Sequence, residues 1–101
     1  MLFSVSVYSL GDGDSQVKPV ASVVRKLASA GVPYRTNAMQ TVAEGEWDQV
    51  MGVLREAYDE LSRKYDRVYM TVSMDDHGKL GGRLEGAVDD LEEELGHPVA
   101  R

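Results

Sequence analysis

Cysteine is absent from the sequence of 101 residues, which excludes a disulfide, a thiolate nucleophile and a cysteine-based zinc site. Positive charge is also scarce, with 11 Lys and Arg against 17 Asp and Glu and a net charge of -6. A nucleic-acid-binding protein needs a basic surface to neutralise phosphates, so we expect no nucleic-acid partner. No apolar run approaches the ~20 residues that a membrane helix needs, so we expect no membrane partner either.

The first ten residues lack the basic start and the small-residue exit of a signal peptide, and we therefore expect a cytoplasmic protein. Hydrophobic residues make up 43% and charged residues 28%, which is typical of a soluble globular protein and not of a disordered chain. The length suits a single domain over residues 1–101, and no internal repeat or linker divides it.

Hydrophobic periodicity predicts four strands and three helices. Apolar and polar residues alternate in the first and last strands, whereas apolar residues recur at helical spacing in three longer segments. The expected strands are residues 2–10, 34–39, 41–45 and 67–75, and the expected helices are residues 15–30, 46–64 and 83–95.

The order β-α-β-β-α-β, followed by an extra C-terminal helix, predicts an α+β fold. Short antiparallel strands with two crossover helices on one face are typical of a ferredoxin-like two-layer sandwich. Because crossovers are right-handed, we expect the first and fourth strands side by side in the interior of the sheet.

The first and fourth strands carry uncharged, hydroxyl-bearing residues on the face that points away from the helices. These residues are Ser4, Ser6, Tyr8, Tyr69, Thr71 and Ser73. A freely solvated face usually holds more Lys and Glu, while hydroxyls and tyrosines suit a face that a second subunit or a ligand covers. We expect such a cover, although a solvated face rich in strand-forming residues explains the same pattern.

Residues for catalysis or metal binding are few. His77 follows Asp75 and Asp76, but no second His or Cys completes a transition-metal set around it. No serine lies in a G-x-S-x-G elbow, and the carboxylates of the last helix are typical of a solvated face. We therefore predict no catalytic residue, no metal and no catalytic cofactor.

A glycine-rich segment precedes the last helix, and Lys79 and Arg83 add two cations to it. Backbone N–H groups at a helix N-terminus attract anions, so the two residues are a possible anion-binding pair. The segment matches neither a P-loop nor a dinucleotide-binding pattern, and a plain flexible turn is the commoner explanation.

Residues 36–45 form the most distinctive segment. Asn37, Met39, Thr41 and Glu44 place an amide, a thioether, a hydroxyl and a carboxylate in one hairpin. Asn offers donors and an acceptor and Glu offers a strong acceptor, so this set can read the edge of an aminopyrimidine. An ordinary hairpin with outward polar residues is the alternative.

Three blocks of the sequence resemble the thiamine-binding (YkoF-like) family of small ferredoxin-like proteins. Residues 9–13 are similar to the family's P-L-G-x-G, residues 31–45 to its G-x-x-Y…P-M-G-T-x-x-E-G, and residues 66–76 to its R-V…D-D-R. The chain departs from the family's usual residues at Ser9, Ala38, Gln40 and His77.

The resemblance implies a ferredoxin-like fold, a homodimer through the sheet faces and often a homotetramer. It also implies binding of thiamine or its hydroxymethylpyrimidine part as a ligand, without catalysis. The expected ligand-binding residues are Asn37, Met39, Thr41 and Glu44 from the resemblance, and Ser6, Tyr8 and Tyr69 from the strand-face pattern.

We therefore expect a non-catalytic small-molecule binding protein whose site lies at or near a subunit boundary. A structural or regulatory interaction module without a specific ligand is the main alternative. A small enzyme that uses Glu44 or Asp75 as a base is a third possibility, but nothing in the sequence names its substrate.

Overall fold

Four strands form one antiparallel sheet within residues 1–10, 15–78 and 80–101, which are the residues that the computed structural model describes. The strands are β1 (Leu2–Leu10), β2 (Tyr34–Thr36), β3 (Thr41–Glu44) and β4 (Arg67–Asp75). Their order across the sheet is β2-β3-β1-β4, so β1 has a neighbour on each side and β4 lies at an edge.

The described segments also contain three helices, α1 (Val17–Ser29), α2 (Trp47–Lys64) and α3 (Arg83–Leu95). The N–H groups of Gly31 and Val32 donate to carbonyls in the last turn of α1, and Gly31 has a φ of 71°. Glycine adopts this left-handed conformation without the steric cost of a side chain, so it ends the helix at little strain. None of the three helices is long and apolar enough to cross a membrane.

The core lies between α1, α2 and one face of the sheet. Alternation along β1 places Phe3, Val5 and Val7 on that face, and each is at most 5% exposed. The helices contribute Val23 and Leu27 of α1 and Val50, Val53, Leu54, Ala57 and Leu61 of α2. Burial of this apolar set is the main force that holds the two helices on the sheet.

Helix α3 begins on the opposite face of the sheet, which we call the outer face. Val42 and Glu44 alternate with the buried Thr41 and Ala43, so they point to the outer face. The backbone N–H group of Arg83, the first residue of α3, donates to the Glu44 carboxylate over 2.9 Å. The third helix therefore covers the β2–β3 side of the outer face and leaves the β1–β4 side uncovered within the described chain.

The predicted ferredoxin-like class is confirmed, and the predicted bounds of β1, β4 and α3 match the structure. Strand β2 ends at Thr36, before the predicted end at residue 39. The reason is that the side chain of Asn37 accepts backbone N–H groups and starts a turn there.

The first and fourth strands lie side by side as predicted, from Leu2 beside Asp75 to Leu10 beside Arg67. The prediction that both lie in the interior of the sheet is wrong for β4. Strand β3 takes the other side of β1 and β2 pairs with β3, so the sheet extends away from β4. Half of the hydroxyl-bearing residues therefore lie on an edge strand.

Candidate ligand-binding site

A cavity of about 150 Å³ lies between β1, the first half of α1 and the turn that joins β2 to β3. Val20 and Val23 of α1 form its wall on the core side of the sheet. Residues 5–8 of β1 form a second wall, and residues 36–41, from the end of β2 to the start of β3, form a third. The cavity exists because β3 begins at Thr41, so the part of β1 beyond Val5 has no strand on the side that faces away from β4.

The side chain of Asn37 shapes the turn above the cavity. Its Oδ1 atom accepts the N–H groups of Met39 over 2.8 Å and of Gln40 over 3.1 Å. The hydroxyl of Ser6 donates to the Met39 carbonyl over 3.2 Å, and the hydroxyl of Ser4 bonds the Gln40 side chain. These contacts hold the turn against the outer face of β1.

Gln16 closes the other end of the cavity. Its Oε1 atom accepts the N–H of Ser9 over 2.8 Å, and its Nε2 atom donates to the Ser9 carbonyl over 3.0 Å. The amide thus bonds the backbone of β1 as a neighbouring strand would. Gln16 also lines the cavity.

Five of the seven residues predicted to bind a ligand line this cavity. They are Ser6, Tyr8, Asn37, Met39 and Thr41. Tyr69 lies beside Tyr8 on the outer face, with the two ring centres 6.4 Å apart, but it does not line the cavity. Most of the predicted residues therefore line the cavity, and whether they bind a ligand stays a prediction.

Glu44 lies away from the cavity, at the opposite end of β3. Its two carboxylate oxygens accept the N–H groups of Arg83 and Leu84, over 2.9 and 3.1 Å. Burial alone would raise the pKa of the Glu44 carboxyl, but these N–H groups stabilise its charged form, and the net effect lowers the pKa. The carboxylate is thus the cap of α3, which is a structural role that the sequence did not suggest.

The structure describes one of the two residues that were predicted to bind an anion, Lys79 and Arg83. Lys79 lies outside the described residues. Arg83 is described, and its guanidinium bonds Asp90 over 2.9 Å with its side chain 18% exposed. The N–H groups at the start of α3 already bond Glu44, so this carboxylate of the chain occupies the place where an external anion would bind.

The structure brings no group of three or more His, Asp or Glu side chains into metal-binding range within the described residues. His77 contacts Asp75, with its Nε2 atom 3.0 Å from the carboxylate. The prediction of no metal site remains a prediction.

Uncharged groups line the whole described cavity, so shape and hydrogen bonding would select its ligand. The other lining residues were not predicted as site residues; they are Val5, Val7, Gln16, Val20, Val23, Thr36, Ala38 and Gln40. Val20 and Val23 belong to the apolar stripe of α1, which by itself indicates packing and not a ligand site. Gln16 lies at the cavity because its side chain bonds the backbone of Ser9, seven residues before it. A cavity of about 150 Å³ holds one six-membered aromatic ring, so a larger ligand would extend through the mouth.

Comparison with known proteins gives consistent results. A family model described as thiamine-binding protein matches residues 3–92. A UPF0045 protein from Mycobacterium bovis is 33% identical over 76 residues, which cover 74% of this chain and 74% of that protein. The crystal structure of a hypothetical protein from Methanocaldococcus jannaschii has a TM-score of 0.82 at 27% identity and covers 91% of this chain and 95% of its own.

A structure from Thermotoga maritima, described as a candidate thiamine biosynthesis or salvage protein, has a TM-score of 0.70. It is 17% identical and covers 85% of this chain and 94% of its own. At that identity the likeness shows a shared fold.

Proposed function

This chain belongs to the thiamine-binding protein family, and on that premise we propose that it binds thiamine or the hydroxymethylpyrimidine part of thiamine without transforming it. The family is described by binding, and no reaction is named with it. The observation that carries the proposal is the uncharged cavity beside β1, which collects Ser6, Asn37 and Thr41 around a space of about 150 Å³.

The size and lining of the cavity suit the pyrimidine ring of thiamine. The space accommodates one six-membered ring, and Val20 and Val23 offer it an apolar wall. The Oδ1 atom of Asn37 is used in the turn, so the side chain can offer its NH₂ group to a ligand. The thiazolium ring of thiamine would then lie at the mouth of the cavity, towards solvent or a second subunit.

The charge of the protein supports a cationic ligand. The net charge of -6 creates a negative potential around the molecule, which attracts the thiazolium cation over a distance. No charged side chain lines the described cavity, so this attraction acts on the approach of the ligand and not on a buried ion pair. We therefore expect thiamine to bind more weakly as the salt concentration rises.

We also propose that the site lies at the boundary of a homodimer formed through the outer faces. Tyr8 lines the cavity and is 47% exposed on the outer face, and its neighbour Tyr69 is 51% exposed. A second subunit placed on this face would bury both tyrosines and so contact the cavity through Tyr8. Two such dimers would give the tetramer that the family resemblance implies.

Calorimetry tests the proposal with two matched variants of α1. Val20→Phe fills the cavity, whereas Val17→Phe adds the same side chain at a position that is 72% exposed and does not line it. We expect saturable heat with thiamine for the natural protein and Val17→Phe, and at least tenfold weaker binding for Val20→Phe. The absence of saturable heat with thiamine and with hydroxymethylpyrimidine at millimolar concentration contradicts the proposal.

A further inference from the structure

The pairing between β1 and β3 ends at Val5, so Val7 has no partner in β3. Phe3 lies opposite Ala43 and Val5 opposite Thr41, so the next such position would place Val7 opposite Met39. Strand β3 begins at Thr41, and Met39 belongs to the turn. The ladder therefore ends before it reaches Val7.

The backbone of Met39 is engaged elsewhere. Its N–H donates to the Oδ1 atom of Asn37 over 2.8 Å, and its carbonyl accepts the hydroxyl of Ser6 over 3.2 Å. The turn that Asn37 forms thus keeps the Met39 backbone from pairing with Val7.

The direction of the Val7 peptide groups follows from Ser9. Both the N–H and the carbonyl of Ser9 bond the Gln16 side chain, so they point away from β4. The pairing of β1 with β4 runs unbroken from Leu2 to Leu10, and in an antiparallel strand every second residue points its N–H and carbonyl to the same side. The N–H and carbonyl of Val7 therefore point into the cavity, between Thr41 and Gln16.

These two groups need a partner. No backbone hydrogen bond of the described turns and loops reaches Val7, and the residue is 5% exposed. A buried N–H or carbonyl without a hydrogen bond is costly, and water or a ligand can supply it. The cavity thus presents a donor and an acceptor side by side on one rigid strand.

We infer that Val7 binds the ligand through its backbone N–H and carbonyl, as it would bind a neighbouring strand. The ligand class is a planar heterocycle with an amino group beside a ring nitrogen. The amino group donates to the Val7 carbonyl, and the ring nitrogen accepts the Val7 N–H. The ring lies in the plane of the sheet, with Val20 and Val23 beneath it on the core side. The inference rests on the proposed function, since the pyrimidine of thiamine carries this edge.

Two ligand analogues test the pairing from the ligand side. One is thiamine without the amino group of the pyrimidine, which leaves the Val7 carbonyl unpaired. The other has the adjacent ring nitrogen replaced by CH, which leaves the Val7 N–H unpaired. We expect each analogue to bind at least about tenfold more weakly than thiamine, because a buried group then loses its partner. Binding of both analogues within twofold of thiamine overturns the inference.

Amide hydrogen exchange tests the pairing from the protein side. In the free protein the N–H of Val7 should exchange faster than that of Tyr8, which faces β4 in the unbroken ladder opposite Tyr69. Saturating thiamine should slow exchange at Val7 by at least tenfold while Tyr8 changes little. If thiamine binds and exchange at Val7 is unchanged, the inference fails and the proposed function stands. If thiamine does not bind at all, both fail.

Discussion

Asn37 and Glu44 belong to the same short segment, and both side chains accept hydrogen bonds from backbone N–H groups. Asn37 serves its own turn, whereas Glu44 reaches the start of α3. The residue types that can read a ligand can equally satisfy the backbone of a turn or of a helix end. Their position in the fold decides which of the two they do.

Removal of the Glu44 carboxylate should loosen α3. We expect Glu44→Ala to lower the free energy of unfolding by about 0.5–2 kcal/mol, the range measured when a side chain that caps a helix N-terminus is lost. Urea denaturation followed by circular dichroism measures this change. Glu56→Ala is the control, because Glu56 is an exposed carboxylate on α2. An equal loss in both variants contradicts the capping role.

The contact of Glu44 with the start of α3 should stabilise the protein less at low pH. The pKa of Glu44 is lowered in the folded protein, so its contribution to stability is present above the ordinary carboxyl pKa of 4.5. That contribution disappears as the pH falls through the lowered value, because protonation removes the charge that the N–H groups of α3 stabilise.

The sequence alone could predict the hydrogen bonds of Asn37 but not those of Glu44. The acceptor of Asn37 lies two and three residues from its donors, which is a local turn pattern that a sequence can show. Glu44 and Arg83 are 39 positions apart, and their contact depends on α3 lying on the outer face. Nothing in the local sequence indicates on which face a terminal helix packs.

The helices α1 and α2 contact each other through polar side chains as well as through the apolar core. The Glu60 carboxylate of α2 accepts the hydroxyl of Ser22 over 2.8 Å, and it lies 3.2 Å from the ammonium groups of Lys26 and Lys64. These contacts lower the pKa of the Glu60 carboxyl from 4.5 to about 2. The hydrogen bond from Ser22 contributes most, followed by the two lysines.

Acid should therefore weaken the packing of α1 on α2. The pKa of Glu60 falls from 4.5 to about 2 on folding, so its contribution is present above pH 4.5 and is lost as the pH falls towards 2. The free energy of unfolding of the natural protein should fall between pH 6 and pH 3. We expect this fall to be about 1 kcal/mol smaller in Glu60→Gln, allowing for solvent screening. Urea midpoints at the two pH values measure it, and the same acid sensitivity in both proteins contradicts it.

The elements differ in how well their sequence predicts them. Alternation over nine residues defines β1 and β4 without ambiguity, and their bounds match the structure. Strands β2 and β3 have three and four residues, which is too short for periodicity to place their ends. The cavity lies in the gap that these short strands leave, so its existence could not be predicted, although most of its polar lining could.

At the scale of the whole molecule, the uncovered side of the outer face is the surface that our account assigns to a second copy. Tyr69→Lys would place a charge there and should convert the assembly to monomers. Tyr58→Lys is the matched control, because Tyr58 is 46% exposed and lies on α2, on the other side of the sheet. Sedimentation velocity distinguishes the two. A monomeric natural protein, or dissociation by both variants alike, contradicts the assignment.

The hydroxyl-bearing residues of β1 and β4 predict from the sequence that a second subunit or a ligand covers this face. The position of α3 is known only from the structure. Since α3 begins over β3, it leaves Tyr8 and Tyr69 uncovered within the described residues. A single sequence cannot show which of these surfaces a second copy would bury, because assembly depends on the shapes of both subunits.

An amide chemical-shift titration locates the residues at which thiamine binds, which we propose to be those of the gap beside β1. Thiamine is added to the ¹⁵N-labelled protein until the shifts saturate. We expect the largest changes at residues 6–8 and 37–41, which line the cavity. Changes centred instead on Glu44 and the start of α3, or no saturable change at millimolar thiamine, would contradict it.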